Sequence, residues 1–368
     1  MSYYNYNNYN LADAVWWDQI GNSLKLLSQI ADVQRDRRSA VLRVPREIPW
    51  RDYFESQIDK RRESFSVDRM FQRAAYSPEF EPGYYILNKF CPPKIQADYW
   101  PGISVPEYLG GRDDLELCDY DIWISGVHTE FLLLKWIEFV TLYTAAARQK
   151  GFYRHAAFIL EYDGPELSCN PAAGLSAPPE CVPERIDYPI EDYDCRVFCL
   201  EFVSGQSDID PIWRGYLAEV AASIGGNNPE FCAALLNSGD NLLHDPVNAA
   251  KNLNFDPDLQ ETGIFSSVWR AMIIQLFPLL ERCRFALISK YQNEINQYLP
   301  SVNANGERIE EPFDLELSSL YFLITHAAFS VLPSELDAIR VCRKIRNALA
   351  HNRLAEFDDI KLLLSLKI

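Results

Sequence analysis

Apolar and polar positions in the first hundred residues alternate between helical segments and loops. Apolar residues recur at helical spacing over residues 11–35, with a break at Gly21, and the highly charged residues 51–76 are again helical in pattern. Prolines and glycines interrupt residues 77–112, which predicts loops there. The Tyr/Asn-rich residues 1–10 have neither pattern, and we expect a flexible tail.

The next stretch mixes strand and helix patterns. LELCDYDIWISG alternates as a strand does, TEFLLLKWIEFVTLYTAAARQKG predicts a buried helix ending at Gly151, and HAAFILEYDG and DCRVFCLEFVSG predict two further strands. Residues 164–194 form a long loop rich in Pro, Ala and acidic residues, which we expect to have a sensing or regulatory role. Residues 207–250 become helical again. We therefore expect an α+β region over residues 11–255.

The last part of the chain predicts helices and no strands. A long apolar helix or a broken pair covers residues 264–298, with a kink at Pro278, and a further helix follows at 315–331. Another helix begins at Pro333-Ser334. Ser334 can cap this helix, and Asp337, three residues later, can form the reciprocal hydrogen bond of a capping box. FDDIKLLLSLKI predicts a short closing helix. The expected fold class is α+β overall and mainly α, with a helical bundle at residues 256–368.

Composition limits the chemistry. The net charge of −17 argues against a surface that is basic throughout, so contact with a polyanion would need a local basic patch. The nine cysteines show no zinc-type spacing, which favours reduced thiols in a cytoplasmic protein with no metal and no cofactor. Cys195 and Cys199 lie four apart in a predicted strand. No run approaches the length of an uncharged membrane span, so no membrane partner is expected.

The segment IRVCRKIRNALAHNR, residues 339–353, combines an apolar stripe with a cationic face when it is placed on a helix. The predicted buried stripe consists of Ala338, Cys342, Ile345 and Leu349. The opposite side presents Arg343, Arg346, Asn347, Ala350 and His351. Five basic residues and no acidic one occur between positions 340 and 353, which is the kind of local patch that RNA binding requires.

Arg346-Asn347-Ala348-Leu349-Ala350-His351 resembles the R-polar-x3-H signature of HEPN-domain proteins. The resemblance covers under a third of the chain and implies a metal-independent endoribonuclease, acting as a toxin or antiviral effector, that leaves 2′,3′-cyclic phosphate and 5′-OH ends. His351 would then act as general acid or base, Arg346 would stabilise charge on the phosphate, and Asn347 would orient either group. On an ideal helix Arg346 lies about 140° from His351. A second copy facing the first would close the site.

The same resemblance implies partners. RNA, with tRNA among the candidates, would bind to Arg340, Arg343, Lys344 and Arg353. The apolar helices at 264–298 and 354–368 would form a homodimer interface, and an inhibitor or regulatory partner would restrain the enzyme. The first alternative is a non-catalytic HEPN module that serves as a binding or dimerisation platform.

Structural roles are the simplest explanation for several other polar residues. Carboxylates at the ends of predicted strands could form the metal site of a nuclease: Asp119, Asp121, Glu161, Asp163 and Glu201. However, no Lys follows Glu201 in the E-x-K spacing that such a site would need. His326 is expected to be a hydrogen-bonded core histidine. A solvated helix face is expected for Glu281, Arg282 and Arg284, and structural roles for His128 and His244-Asp245. The sequence contains no P-loop, no GxGxxG and no GxSxG motif.

Overall fold

A computed structural model describes residues 9–65, 69–152, 154–167, 177–255, 260–302, 306, 308–326 and 329–366. The chain divides into two compact units, Met1–Ile190 and Glu191–Ile368. The expected boundary near residue 255 stays a prediction. Helices dominate and a five-stranded parallel sheet lies in the first unit, so the coarse expectation of an α+β, mainly α fold class is confirmed.

The first unit contains seven helices and five strands among its described residues. The helices are α1 Tyr9–Gln19, α2 Gly21–Arg35, α3 Arg51–Glu63, α4 Pro82–Phe90, α5 Pro93–Asp98, α6 Val105–Gly110 and α7 Glu130–Gln149. The strands are β1 Ala40–Arg43, β2 Met70–Ala75, β3 Tyr120–Val127, β4 Ala157–Tyr162 and β5 Glu184–Asp187.

All five strands are parallel, in the order β2-β3-β4-β1-β5. The central strand β4 (AFILEY) is buried at every position, as expected for a parallel strand covered on both faces. β2 lies at an edge and most of its side chains are exposed or half-buried. Helix α7 packs on the sheet through large aromatic side chains: Tyr143 meets Phe158 of β4 edge-to-face at 5.7 Å. Burying each of these rings contributes roughly 1.5–3 kcal/mol.

The second unit is helical, with one small hairpin in its described part. Its helices are α8 Asp192–Ser204, α9 Pro211–Gly225, α10 Pro229–Asn237, α11 Asp240–His244, α12 Pro246–Leu253, α13 Glu261–Lys290, α14 Gln292–Asn296, α15 Leu317–His326, α16 Pro333–Ala350 and α17 Phe357–Ser365. Its strands are β6 Ser301–Val302 and β7 Arg308–Ile309, which pair antiparallel.

Helix α13 is the longest element of this unit and packs against both α9 and α16. It continues through Pro278, which is exposed, so it is not a broken pair there. Helix α13 is also long enough and apolar enough to cross a membrane, judged by its length and composition alone. Only 33% of that window is buried, and this is weak evidence because core helices of soluble proteins pass the same test.

Several local predictions need correction. Residues 77–112, expected as loops, contain α4, α5 and α6, and the expected loop 164–194 contains β5. DCRVFCLEFVSG is the helix α8 and not a strand, because Cys195, Phe198, Cys199 and Phe202 form a buried stripe at helical spacing. Residues 70–75 form β2 and not a helix, and the hairpin β6–β7 occurs where no strand was expected.

A further correction concerns the start of α16. Leu332 is its N-cap residue, and the backbone N–H of Leu332 donates to Glu335 Oε2 at 3.0 Å. The carboxylate that closes this end is therefore Glu335, and not the pair Ser334 and Asp337.

Candidate functional site

The predicted motif lies at the exposed C-terminal end of α16. His351 is the C-cap residue, and Asn352 follows in the left-handed conformation with φ 53°. The Arg353 N–H donates to the Ala348 carbonyl at 2.9 Å and the Asn352 N–H donates to the Leu349 carbonyl at 3.2 Å. These two bonds form a Schellman motif, in which Asn is an accepted substitute for Gly. The run AHNR is thus explained by the way the helix ends.

A tryptophan fixes this helix end to its neighbour. Trp269 of α13 donates its indole N–H to the Leu349 carbonyl at 3.0 Å. The expected apolar stripe of α16 is confirmed, because Ala338, Cys342, Ile345 and Leu349 are all buried.

The three predicted catalytic residues do not form a cluster. Arg346 is half-buried and its Nη2 lies 3.2 Å from Glu316 Oε2, while His351 is exposed. In the described part of the chain, the hydrogen bond that joins Asn347 to His351 is between backbone atoms, at 3.2 Å, and no bond joins the three side chains.

Most of the predicted basic patch is neutralised. Arg340 pairs with Asp337 at 2.9 Å and Lys344 pairs with Asp359 at 2.6 Å, in addition to the Arg346 pair. Glu316 and Asp359 come from segments distant in sequence, which is why the window 340–353 looked purely basic. Among the described residues, Arg343 and Arg353 have no carboxylate partner.

Arg343 has a distinctive environment. Its guanidinium carbon lies 4.7 Å from the centre of the Tyr321 ring, and its Nε is buried without a hydrogen-bond partner. An arginine is always charged in a protein, so an unsatisfied buried donor of this kind costs about 1–3 kcal/mol. The cation–π contact with Tyr321 offsets part of that cost.

Arg343 lines a groove of about 570 Å³ between α15 and the β6–β7 hairpin. Its apolar lining comes from Val302, Ile309, Leu315, Phe322 and Leu323. Its polar lining comes from Ser301, Ser318, Ser319, Thr325 and His326, beside Tyr321 and Arg343. Such a volume, with polar groups set beside apolar side chains, is typical of a site for a small molecule.

His326 lies on the surface and not in the core as expected. Its ring stacks on Phe322 at 4.3 Å and its Nδ1 lies 3.1 Å from the Phe322 carbonyl oxygen. Sequence reasoning missed the groove because it depends on a hairpin of two-residue strands. The unexplained cation Arg343 was its only signal.

Three of the strand-end carboxylates contact basic side chains. Asp119 pairs with Arg154, Asp121 with Arg69 at 2.7 Å, and Asp163 with His128 at 2.7 Å. Burial raises the pKa of Asp121, while Arg69 and Arg62 act against this. Glu201 is exposed on α8. Across the residues that the structure describes, no group of three or more metal-ligating side chains could hold an ion.

The remaining candidates have structural partners. Arg284 lies 2.8 Å from Glu281 and donates to the carbonyl oxygens of Phe313 and Leu315. His244 packs against Phe357 at 4.0 Å. The eight described cysteines are buried free thiols.

No protein-family model matches this chain, and no curated protein matches it. Two solved structures from Aeropyrum pernix are similar to it. The ORC1 protein in complex with DNA is 12% identical and covers 93% of this chain and 91% of its own, with a TM-score of 0.33. The ORC2 protein in ADPNP-ADP complexes is 11% identical and covers 93% and 92%, with a TM-score of 0.33. Similarity at this level supports neither a common fold nor a shared activity.

The HEPN identification is wrong. No HEPN family model matches the chain, neither solved structure found is described as a HEPN protein, and the side chains of Arg346, Asn347 and His351 do not form a cluster. The inferences that depended on it fall with it: the HEPN bundle, the endoribonuclease with a toxin or antiviral role, the non-catalytic HEPN platform, RNA as partner, the homodimer and the inhibitor. The physical reason is local, since the motif residues end a helix and most of the cations already have partners.

Proposed function

We propose that the unit Glu191–Ile368 is a ligand-recognition module and that its groove binds a small amphipathic anion. The observation that carries this proposal is the buried Nε of Arg343, which has no hydrogen-bond partner at the wall of a largely apolar groove. A carboxylate bound there would accept hydrogen bonds from the guanidinium, while its apolar part would contact Phe322 and Leu323.

Binding is favoured over catalysis by the chemistry of the groove. Its hydroxyl groups can donate hydrogen bonds to a ligand, and Thr325 already donates to the Tyr321 carbonyl at 2.8 Å. The ring of His326 is stacked on Phe322 and its Nδ1 contacts a backbone carbonyl. Thr325 Oγ1 also lies 2.9 Å from His326 Nδ1, but a ring nitrogen that bonds the Phe322 carbonyl must carry a hydrogen and cannot act as a base toward the hydroxyl. These contacts can orient a bound molecule.

The test measures binding of decanoate and of the uncharged decanol to the full chain by isothermal titration calorimetry. We expect decanoate to bind more tightly than decanol. Arg343→Met keeps the apolar length and removes the charge, so it should weaken decanoate binding about 10- to 100-fold, since a charged hydrogen bond contributes ~1.5–3 kcal/mol. Decanol binding should not change.

Arg353→Met is the matched control, because Arg353 is exposed, lies beyond the same helix and does not line the groove. It should leave decanoate binding unchanged. Equal losses in the two variants would show a general charge effect and contradict the site, as would decanoate and decanol binding equally well to the wild type.

A further inference from the structure

A second cavity, of about 610 Å³, lies in the unit Met1–Ile190 at the edge where strands begin. Ser39 precedes β1, His155 precedes β4 by two residues, and Glu184 begins β5; all three line it. Thr144 and Arg148 of α7 form another wall. This is the amino edge of the parallel sheet, opposite to the carboxyl edge where ligands of such sheets usually bind.

The residues that line this cavity include more arginines than the lining carboxylates neutralise. Arg38 pairs with Glu184 and lies 3.3 Å from Asp36, and Arg148 lies 3.5 Å from Glu180. Each carboxylate that lines the cavity is thereby matched. Arg37 also lines it, and within the described ranges Arg37 has no ion pair.

His155 is half-buried near several arginine side chains. Burial lowers its pKa, and the charges of Arg69, Arg148 and Arg37 lower it further, although its bond to the Ala156 carbonyl acts in the opposite direction. Three guanidinium groups therefore act on one half-buried ring, in a chain whose net charge is −17.

The backbone of Arg37 is an unusual place for an arginine. Its φ is 55°, and it occupies the left-handed position of a Schellman motif that ends α2. The Arg38 N–H donates to the Val33 carbonyl at 2.9 Å and the Arg37 N–H to the Gln34 carbonyl at 3.2 Å. Glycine is preferred at this position because a Cβ there is strained. A charged side chain without an ion pair is thus held at the cavity despite a conformational cost.

We propose that this amino-edge cavity binds the phosphate group of a small molecule, with Arg37 as its main anchor and Arg148 as a second contact. Arginine binds phosphate through paired hydrogen bonds, and its planar fork suits the tetrahedral oxygens. The weak Arg148–Glu180 pair can open to an anion. The volume exceeds that of inorganic phosphate, so an organic group attached to the phosphate would also be accommodated.

The test titrates inorganic phosphate and pyrophosphate into the full chain at constant ionic strength, by calorimetry and by the shift in Tm. Wild type should bind both saturably, and pyrophosphate more tightly because it carries more charge. Arg37→Gly should reduce the affinity at least tenfold while it raises the Tm of the unliganded protein, since it relieves the backbone strain. An arginine with only a structural role would not combine a lower phosphate affinity with a higher Tm of the unliganded protein when it is replaced by glycine.

Arg35→Gln is the matched control. Arg35 is exposed at the end of α2, pairs with Asp32 at 2.7 Å and lies 3.6 Å from Asp36, but does not itself line the cavity. Asp36 keeps its contact with Arg38, so phosphate affinity in Arg35→Gln should stay within about twofold of wild type. Wild-type affinity in Arg37→Gly would overturn the proposal. So would the absence of saturable binding to wild type, or an equal loss in Arg35→Gln, which would leave only a general charge effect.

Discussion

Arg343 differs from the other cations of α16 because its nearest partner is an aromatic ring. Arg340, Lys344 and Arg346 each reach a carboxylate, whereas the guanidinium of Arg343 lies over Tyr321 and its Nε is buried. A ring leaves the in-plane N–H groups available, while a carboxylate would occupy them. At the residue scale, the candidate groove is therefore identified by the N–H groups of Arg343, which no carboxylate occupies.

Tyr321→Leu tests whether the ring holds this guanidinium in place. We expect the free energy of unfolding to fall by about 0.5–2 kcal/mol through loss of the cation–π contact, in addition to any change in packing. Decanoate binding should weaken as well, because Arg343 is no longer oriented. Urea denaturation and calorimetry measure the two effects.

Tyr321→Phe is its control, since it keeps the ring and removes only the hydroxyl group. It should behave as wild type in both measurements. A large loss in Tyr321→Phe would assign the effect to the hydroxyl and refute the role of the ring.

At the element scale, side chains determine where α16 begins and ends. Glu335 accepts hydrogen bonds from the Leu332 N–H, from the Tyr291 hydroxyl at 2.5 Å and from Lys290 at 2.5 Å. The first bond caps the helix, and the other two tie it to the end of α13. Asn352 ends the helix in the left-handed conformation. Both ends thus depend on single polar residues.

Glu335 makes stability depend on pH. Burial raises its pKa, but the hydrogen bonds from Lys290, Tyr291 and Leu332 outweigh this and hold the pKa below its ordinary value of 4.5. A carboxylate whose pKa is lower in the folded state stabilises the fold above its unfolded pKa, and this contribution disappears as the pH falls through the folded pKa. Glu335→Gln should therefore unfold more easily than wild type at pH 7, and the difference should shrink below the ordinary pKa.

Urea denaturation across this pH range measures the effect. Glu310→Gln provides the comparison, because the Glu310 side chain is 68% exposed and its ion pair is with the exposed Arg308. It should change stability little at any pH. A difference between wild type and Glu335→Gln that does not vary with pH would contradict the proposed role of the charge.

Regular elements with a clear period could be predicted from the sequence, and elements defined by distant contacts could not. The buried strand β4 and the helix α7 follow directly from their apolar runs. In α8, cysteines and aromatic residues occupy the helical stripe, and their preference for strands suggested the wrong period. The charge balance around the predicted site could not be inferred for a related reason: the pairing of Arg346 with Glu316 spans thirty positions and is not visible in the motif itself.

At the scale of the whole molecule, the crevice at the carboxyl edge of the parallel sheet is already occupied by contacts within the protein. In doubly wound sheets, phosphates bind at the N-terminus of the helix that follows the first strand, and glycines let the backbone approach them. Here residues 44–50 join β1 to α3 without a glycine. The helix begins with Arg51, whose guanidinium binds Glu161 at 2.7 and 2.8 Å and Glu55 at 2.7 Å. Trp123 also donates to Glu161 at 2.6 Å.

This arrangement predicts that the carboxyl edge of the sheet binds no nucleoside triphosphate. Since Arg51 is bound by two carboxylates, a phosphate would have to displace Glu161, which is 10% exposed, and leave that carboxylate without its partner. Removing one partner of a buried pair is costly, although Arg51 is itself 36% exposed and solvent reduces the penalty. The measurement is the Tm of the Arg37→Gly variant with and without MgATP, because this variant lacks the anchor of the amino-edge cavity. We expect no shift; a saturable rise in Tm would show that the crevice opens to nucleotide and that the Arg51–Glu161 pair is displaceable.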